Sequence, residues 1–195
     1  MPTANQPNLL QVDWSKIPAP QDDGAARHLE GAMLPDLALP ATDGRSVSLA
    51  KCQGRTVVYA YPRMGKPGQI ALVDGWDEIP GARGCTPQSC AFRDHFGELQ
   101  AAGVAQVFGL STQDTAYQAE AVTRLHLPFA ILSDERLSLT GALGLPTLEV
   151  AGLTLLKRLA MVTDDGRITK VFYPVFPPDR NAGDVLAWLK VNPRA

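Results

Sequence analysis

Val104-Ala-Gln-Val-Phe-Gly-Leu110, the segment Thr115 to Leu125, and Phe129-Ala-Ile-Leu132 follow one another along the chain, and their order decides the fold. The first is an apolar run with the residue types of a buried strand. The second sets Tyr117, Ala121 and Leu125 four residues apart on one helical face. The third is again short and apolar. Strand, helix and strand at this spacing make the repeating unit of an α/β sheet. Toward the N-terminus, Arg55-Thr-Val-Val-Tyr-Ala-Tyr61 is β-branched and aromatic and stops at Pro62, as a central strand does. Before it, Leu34-Pro-Asp-Leu-Ala-Leu-Pro and Ser46-Val-Ser-Leu49 flank Asp43-Gly44, a hairpin turn that tolerates positive φ. Toward the C-terminus come a short helix around Leu137 to Leu143 and a hairpin of Leu153 to Val162 with Ile168 to Tyr173 around Asp164-Asp-Gly166. An amphipathic helix from Asp184 to Val191 closes the chain. The expected fold is α/β, a mixed central sheet flanked by helices on both faces.

The length of 195 residues suits one sizeable domain, and 45% hydrophobic with 19% charged residues supplies a core and argues against disorder. Residues 1–33 hold four prolines and scattered apolar side chains, which reads as an extension lying over a domain that occupies 34–195, with Trp14 and Ile17 as anchors. Eighteen Lys and Arg against twenty Asp and Glu leave a formal charge of −2, so no basic field exists for nucleic acid or an anionic membrane. No apolar run approaches the roughly 20 residues that span a bilayer, and the first residues lack a cationic start and an apolar stretch. A cytoplasmic protein is the expectation.

From Arg63 to Gly84 the chain carries five glycines, two prolines and little periodicity, so a loop longer than most connections is expected there, and such loops are often functional. A helix follows, with Thr86 as N-cap, Pro87 at its first position, and Phe92, Phe96 and Leu99 forming its buried stripe until Gly103 stops it. Two of the three cysteines, Cys85 and Cys90, lie at its start. A helix N-terminus favours thiolate over thiol, which makes Cys85 a candidate nucleophile. Five residues of helix separate the pair by about 7.5 Å of rise, beyond the reach of a disulfide unless the first turns unwind. Buried free cysteines are also ordinary packing residues, and the bare spacing leaves both readings open. Cys52, in Lys51-Cys-Gln-Gly54, is read as buried packing. His28, His95 and His126 are scattered, so neither a metal site nor a cofactor site is expected.

Gly84-Cys-Thr-Pro-Gln-Ser-Cys-Ala-Phe-Arg-Asp94 resembles the active-site segment of the bacterioferritin-comigratory or Q-type peroxiredoxins of the AhpC/TSA-like group, whose pattern is close to T-P-G-C-T-x-E/Q-x-C-x-F-R-D. Leu34-Pro-Asp-Leu, Asp43-Gly44, Tyr61-Pro62, Gly109-Leu-Ser-Thr112, Leu132-Ser-Asp134 and Lys157-Arg158-Leu-Ala-Met-Val support the resemblance, which runs from about Leu34 to Leu189. It implies a thioredoxin-like fold and a thiol-dependent peroxidase acting on hydrogen peroxide and organic hydroperoxides. It also implies roles. Cys85 is the peroxidatic cysteine, oxidised to a sulfenic acid; Cys90 is the resolving cysteine, closing an intrachain disulfide that thioredoxin or a similar dithiol reduces. Arg158 stabilises the thiolate and orients the peroxide. Because an intrachain disulfide needs no second subunit, a monomer is expected.

The chain departs from this family in two places. The pattern P-x-x-x-T-x-x-C, whose threonine hydroxyl binds peroxide, is broken: position 82 is Ala and position 78 is Glu. The stretch from Pro62 to Cys85 also exceeds the usual loop by more than a dozen residues. Two rival readings follow: a thiol–disulfide oxidoreductase or redox sensor with weak peroxidase activity, and a non-catalytic interaction protein on the same fold.

Overall fold

The structure, a computed structural model, describes residues 12–194. The part of the expected extension in residues 1–11, and the reading of a missing leader made on it, lie outside the described residues. The elements run β1 (Ala38–Pro40), β2 (Ser46–Ser48), β3 (Arg55–Ala60), α1 (Cys85–Asp94), α2 (Phe96–Ala101), β4 (Val104–Ser111), α3 (Thr115–Leu125), β5 (Ile131–Ser133), α4 (Ser138–Leu143), β6 (Thr147–Val150), β7 (Leu153–Leu156), β8 (Leu159–Asp164), β9 (Arg167–Phe172) and α5 (Asn181–Val191).

The central sheet has the order β5-β4-β3-β8-β9. β3 lies in its middle, parallel to β4 and antiparallel to β8, so the sheet is mixed. Every residue of β3 is buried, because both faces of the sheet are covered. Its period of two sends Val57, Tyr59 and the following Tyr61 to one face, where α1, α2, α3 and α5 pack. Val58 and Ala60 point to the other face, against α4 and the β1–β2 hairpin. Helices therefore flank both faces, as the alternation of elements implied.

Several boundaries depart from the sequence reading; α5, for one, begins at Asn181 rather than Asp184. The helix expected to begin after Thr86 begins at Cys85, because Gly84 adopts φ 109° and turns the chain directly into it. Pro87 then falls at the third helical position, still within the first turn, where no intrahelical acceptor awaits an N–H. The same helix does not run unbroken to Gly103: at His95, φ −92° and ψ 4° interrupt it, and Phe96 in α2 lies against Phe129 with ring centroids 5.8 Å apart. The strand expected over Leu153 to Val162 is two strands. β7 pairs with β6 in a small separate sheet, and β8 joins the central one. The break falls at Lys157 and Arg158, and it turns the Arg158 side chain inward to 2% exposure.

The Asp164-Asp-Gly166 turn forms as expected, with Asp165 at φ 47° and Gly166 at φ 80° matching the primed turns that suit twisted hairpins. A Cβ on Gly166 would lie 2.6 Å from the Ala50 carbonyl oxygen, so only glycine fits. Between β3 and α1 the long loop has no strand or α-helix, only a single 3-10 turn over Trp76–Glu78. Residues 12–23 run back across the start of α1: the Trp14 indole N–H donates to Asp179 at 2.8 Å, and its ring meets Phe176 edge-on at 6.0 Å.

Candidate active site

α1 carries both candidate cysteines. Cys85 is its first residue, 4% exposed, with its sulfur at the end of the helix where the free N–H groups point. The Arg158 side chain enters from the break between β7 and β8. Its Nη2 lies 3.3 Å from Cys85 Sγ and donates also toward the carbonyl oxygens of Gly81, Ala82 and Arg83 at 3.1–3.2 Å. One guanidinium nitrogen thus ties the end of the long loop to the sulfur. A permanent cation and a helix N-terminus both stabilise negative charge on that atom. Arg158 Nη1 donates to Gln88 Oε1 at 2.5 Å, while the Arg158 Nε–H is buried with no partner among the described residues.

Cys90 lies five residues further along the same helix, 6% exposed, and burial pushes its thiol up from the ordinary value. Both cysteines are free thiols. Bringing their sulfurs together requires α1 to unwind, since the disulfide limit on Cα separation is about 7 Å. The helix is held where it would have to open: the Tyr59 hydroxyl donates to Ser89 Oγ at 3.0 Å, and Tyr59 stacks on Phe92 at 4.4 Å and 8°. Such stacking is worth about 1 kcal/mol.

At position 82, where the resemblance expects a hydroxyl, Ala82 is fully buried and contributes its carbonyl. Cys85 Sγ lies 3.7 Å from that oxygen. Nearby, Tyr61 is fully buried and its hydroxyl has no hydrogen-bond partner among the described residues. Burial raises its ionisation well above the usual value, so it stays a neutral hydroxyl. A cleft of about 790 Å³ opens over Cys85, and the long loop forms much of its wall through Ile70, Leu72, Val73 and Trp76, with Thr86 and Tyr117 opposite.

Cys52 belongs to the core on the other face of the sheet from Cys85 and Cys90, with its sulfur near Ser48 O and Gln106. Arg93 and Asp94, adjacent on α1, form a pair at 2.8 Å. Asp94 is the last residue of the helix, and it is the bond from Arg93 to Leu125 O that ties α1 to α3. Two buried residues of the site were not singled out by the sequence reading. Gln88 stands at the E/Q position of the quoted motif, which was its available signal. Asn181, whose Oδ1 accepts from Gln88 Nε2 at 2.9 Å, lies 93 residues away and had none.

The redoxin family model matches residues 29–186. Peroxiredoxin Q of wheat, a chloroplastic protein, is 33% identical over 181 residues, covering 89% of this chain and 75% of the wheat protein. This chain belongs to the redoxin family, among the Q-type peroxiredoxins. Rice peroxiredoxin Q is 36% identical over 163 residues, which span 83% of this peroxiredoxin and 66% of the rice protein's length. Peroxidoxin BcpB of Mycobacterium tuberculosis superposes with a TM-score of 0.67 at 24% identity, over 85% of this chain and 98% of that one. Peroxiredoxin Q of Xanthomonas campestris superposes at 0.65 with 22% identity, over 85% and 96%. The fold is therefore the thioredoxin-like fold of peroxiredoxins.

Proposed function

We propose that this protein is a thiol-dependent peroxidase in which Cys85 is the peroxidatic and Cys90 the resolving cysteine. The Cys85 thiolate attacks the outer oxygen of ROOH, the O–O bond breaks, and ROH leaves with one proton, giving the Cys85 sulfenic acid. α1 then unwinds locally, the Cys90 thiol displaces water from that sulfenic acid, and the intrachain disulfide forms. Thioredoxin or a similar dithiol returns both sulfurs to thiols by exchange. The observation that carries this reading is the Arg158 cation 3.3 Å from a sulfur at the first position of a helix. The cleft of about 790 Å³ is far larger than hydrogen peroxide needs, which favours organic hydroperoxides as additional substrates. The intrachain cycle needs no second subunit, and a monomer is the matching assembly.

Mass mapping of peroxide-treated wild type, Cys85→Ser and Cys90→Ser tests the two roles. The expected products are an intrachain Cys85–Cys90 disulfide in wild type, a Cys85 sulfenic acid in Cys90→Ser, and no oxidation at Cys90 in Cys85→Ser. A sulfenic acid on Cys90 in Cys85→Ser would reverse the assignment. Ala82 in place of the threonine keeps a second reading in play, a disulfide oxidoreductase with weak peroxide activation. It requires a reducible Cys85–Cys90 bond that forms with disulfide oxidants and only slowly with peroxides.

A further inference from the structure

We propose that Asn181, the first residue of α5, is a positioning residue for the peroxide reaction, acting on Cys85 through Gln88 and Arg158. This rests on the peroxidase reading above. The chain of contacts has one possible polarity. A guanidinium only donates hydrogen bonds, so the Gln88 atom facing Arg158 Nη1 is the acceptor Oε1. The other end of that amide is then the donor Nε2, and the Asn181 atom that meets it at 2.9 Å must be the acceptor Oδ1. From Asn181 Oδ1 the order therefore runs through Gln88 and Arg158 Nη1 to Nη2 and the Cys85 sulfur.

Burial makes this order matter. Gln88 is 0%, Asn181 1% and Arg158 2% exposed, so water does not replace a lost partner and a buried amide left unpaired is costly. Without the Asn181 acceptor the Gln88 Nε2 donor is left unpaired in a dry interior, and only the Arg158 contact still opposes rotation of the amide. A reversed amide would set its NH2 against the guanidinium and leave Nη1 unpaired. Arg158 would then hold its place only through Nη2, whose two N–H groups are already shared among three loop carbonyls and the sulfur. Neither Asn181 nor Gln88 touches the sulfur among the contacts seen, so their influence passes through the orientation of Arg158.

The test is the second-order rate of Cys85 oxidation by hydrogen peroxide in reduced protein, with folding followed by thermal melting. Asn181→Ala is expected to slow oxidation about tenfold, the scale on which losing an orienting partner registers. Asn181→Asp keeps an acceptor at the same place and is expected to recover most of that loss. Asn181→Leu holds the volume should the alanine variant fail to fold, and is expected to show the same slowing. In an Arg158→Lys background, Asn181→Ala is expected to add less than about twofold, because the two act as one unit. A purely structural asparagine would lower the melting temperature and leave the rate alone, or slow both backgrounds equally; either result overturns the proposal. If wild type itself is not oxidised at Cys85, the peroxidase reading fails. If wild type reacts and folded Asn181→Ala or Asn181→Leu matches it, only this inference fails.

Discussion

Single residues fix the geometry of the sulfur. Arg158 supplies a permanent, planar cation that bonds sulfur, glutamine and loop carbonyls at once, and lysine cannot reproduce that fork. Arg158→Lys is expected to slow oxidation of Cys85 by peroxide about a hundredfold, measured by stopped-flow, and to lower the melting temperature as well, because buried acceptors that the fork served lose their donors. Gly84 acts through the backbone instead, since at φ 109° a Cβ would lie 2.5 Å from Pro178 Cγ and 2.8 Å from Trp14 Cη2. Gly84→Ala is expected to cost at least about 2 kcal/mol in a denaturant melt, from backbone strain and overlap together. Away from the site, Arg55 holds Asp164 through two 2.8 Å bonds, and that hydrogen bonding keeps the Asp164 carboxyl below the usual carboxylate range. A depressed folded value means stability that is present above the unfolded value, near 3.9, and lost as pH falls through the folded one. Asp164→Asn is therefore expected to destabilise by about 2 kcal/mol at pH 7 and to approach wild type when both are melted at progressively lower pH within the acid range.

Elements set what must move. The strap of residues 12–23 is tied down at Asp23, which accepts from Lys157 at 2.6 Å and from the Tyr173 hydroxyl at 2.8 Å, and at Trp14 over Gly84. It thus braces the first turn of α1, the part whose unwinding the Cys85–Cys90 bond requires. Trp14→Ala is expected to speed the Cys90-dependent step about threefold, the worth of a modest aromatic contact, without changing the Cys85 oxidation rate; quenched-flow mass analysis separates the two. The long loop acts on substrate size. Trp76→Ala is expected to lower the ratio of cumene hydroperoxide to hydrogen peroxide reactivity about tenfold, since it removes apolar wall from the cleft. The regular elements were legible where periodicity is local. Thr115 to Leu125 forms the helix that Tyr117, Ala121 and Leu125 implied, and Arg55–Ala60 the central strand that its β-branched run implied. Boundaries decided by distant partners were not. The start of α1 depends on Gly84 packed under Pro178 and Trp14, and the break at Lys157 depends on β6 competing with the central sheet for β7.

On the scale of the whole molecule, the strap of residues 12–23 and the start of α5 both pack around the first turn of α1. The N-terminal strap lies over Gly84, Pro178 fills the space beside it, and α5 supplies Asn181 to the buried amide that holds Arg158. The cysteine motif and the Lys157-Arg158 segment were readable because they are short patterns in the sequence. The Arg158–Gln88–Asn181 order was not, because it exists only once three segments, 70 and 93 residues apart, share one interior. The place left by the threonine was likewise visible as Ala82, but the buried, unpartnered Tyr61 hydroxyl emerges only from packing. This interior is expected to activate Cys85 toward peroxides without that threonine. The measurement that tests it most directly is the second-order rate constant for hydrogen peroxide with fully reduced protein, followed by stopped-flow tryptophan fluorescence, since Trp14 and Trp76 flank the site. We expect a rate at least about a thousandfold above that of a free cysteine thiol, the order of acceleration that preorganised electrostatic groups provide, and its loss in Cys85→Ser. A rate equal to that of a free thiol would mean that Cys85 is not activated.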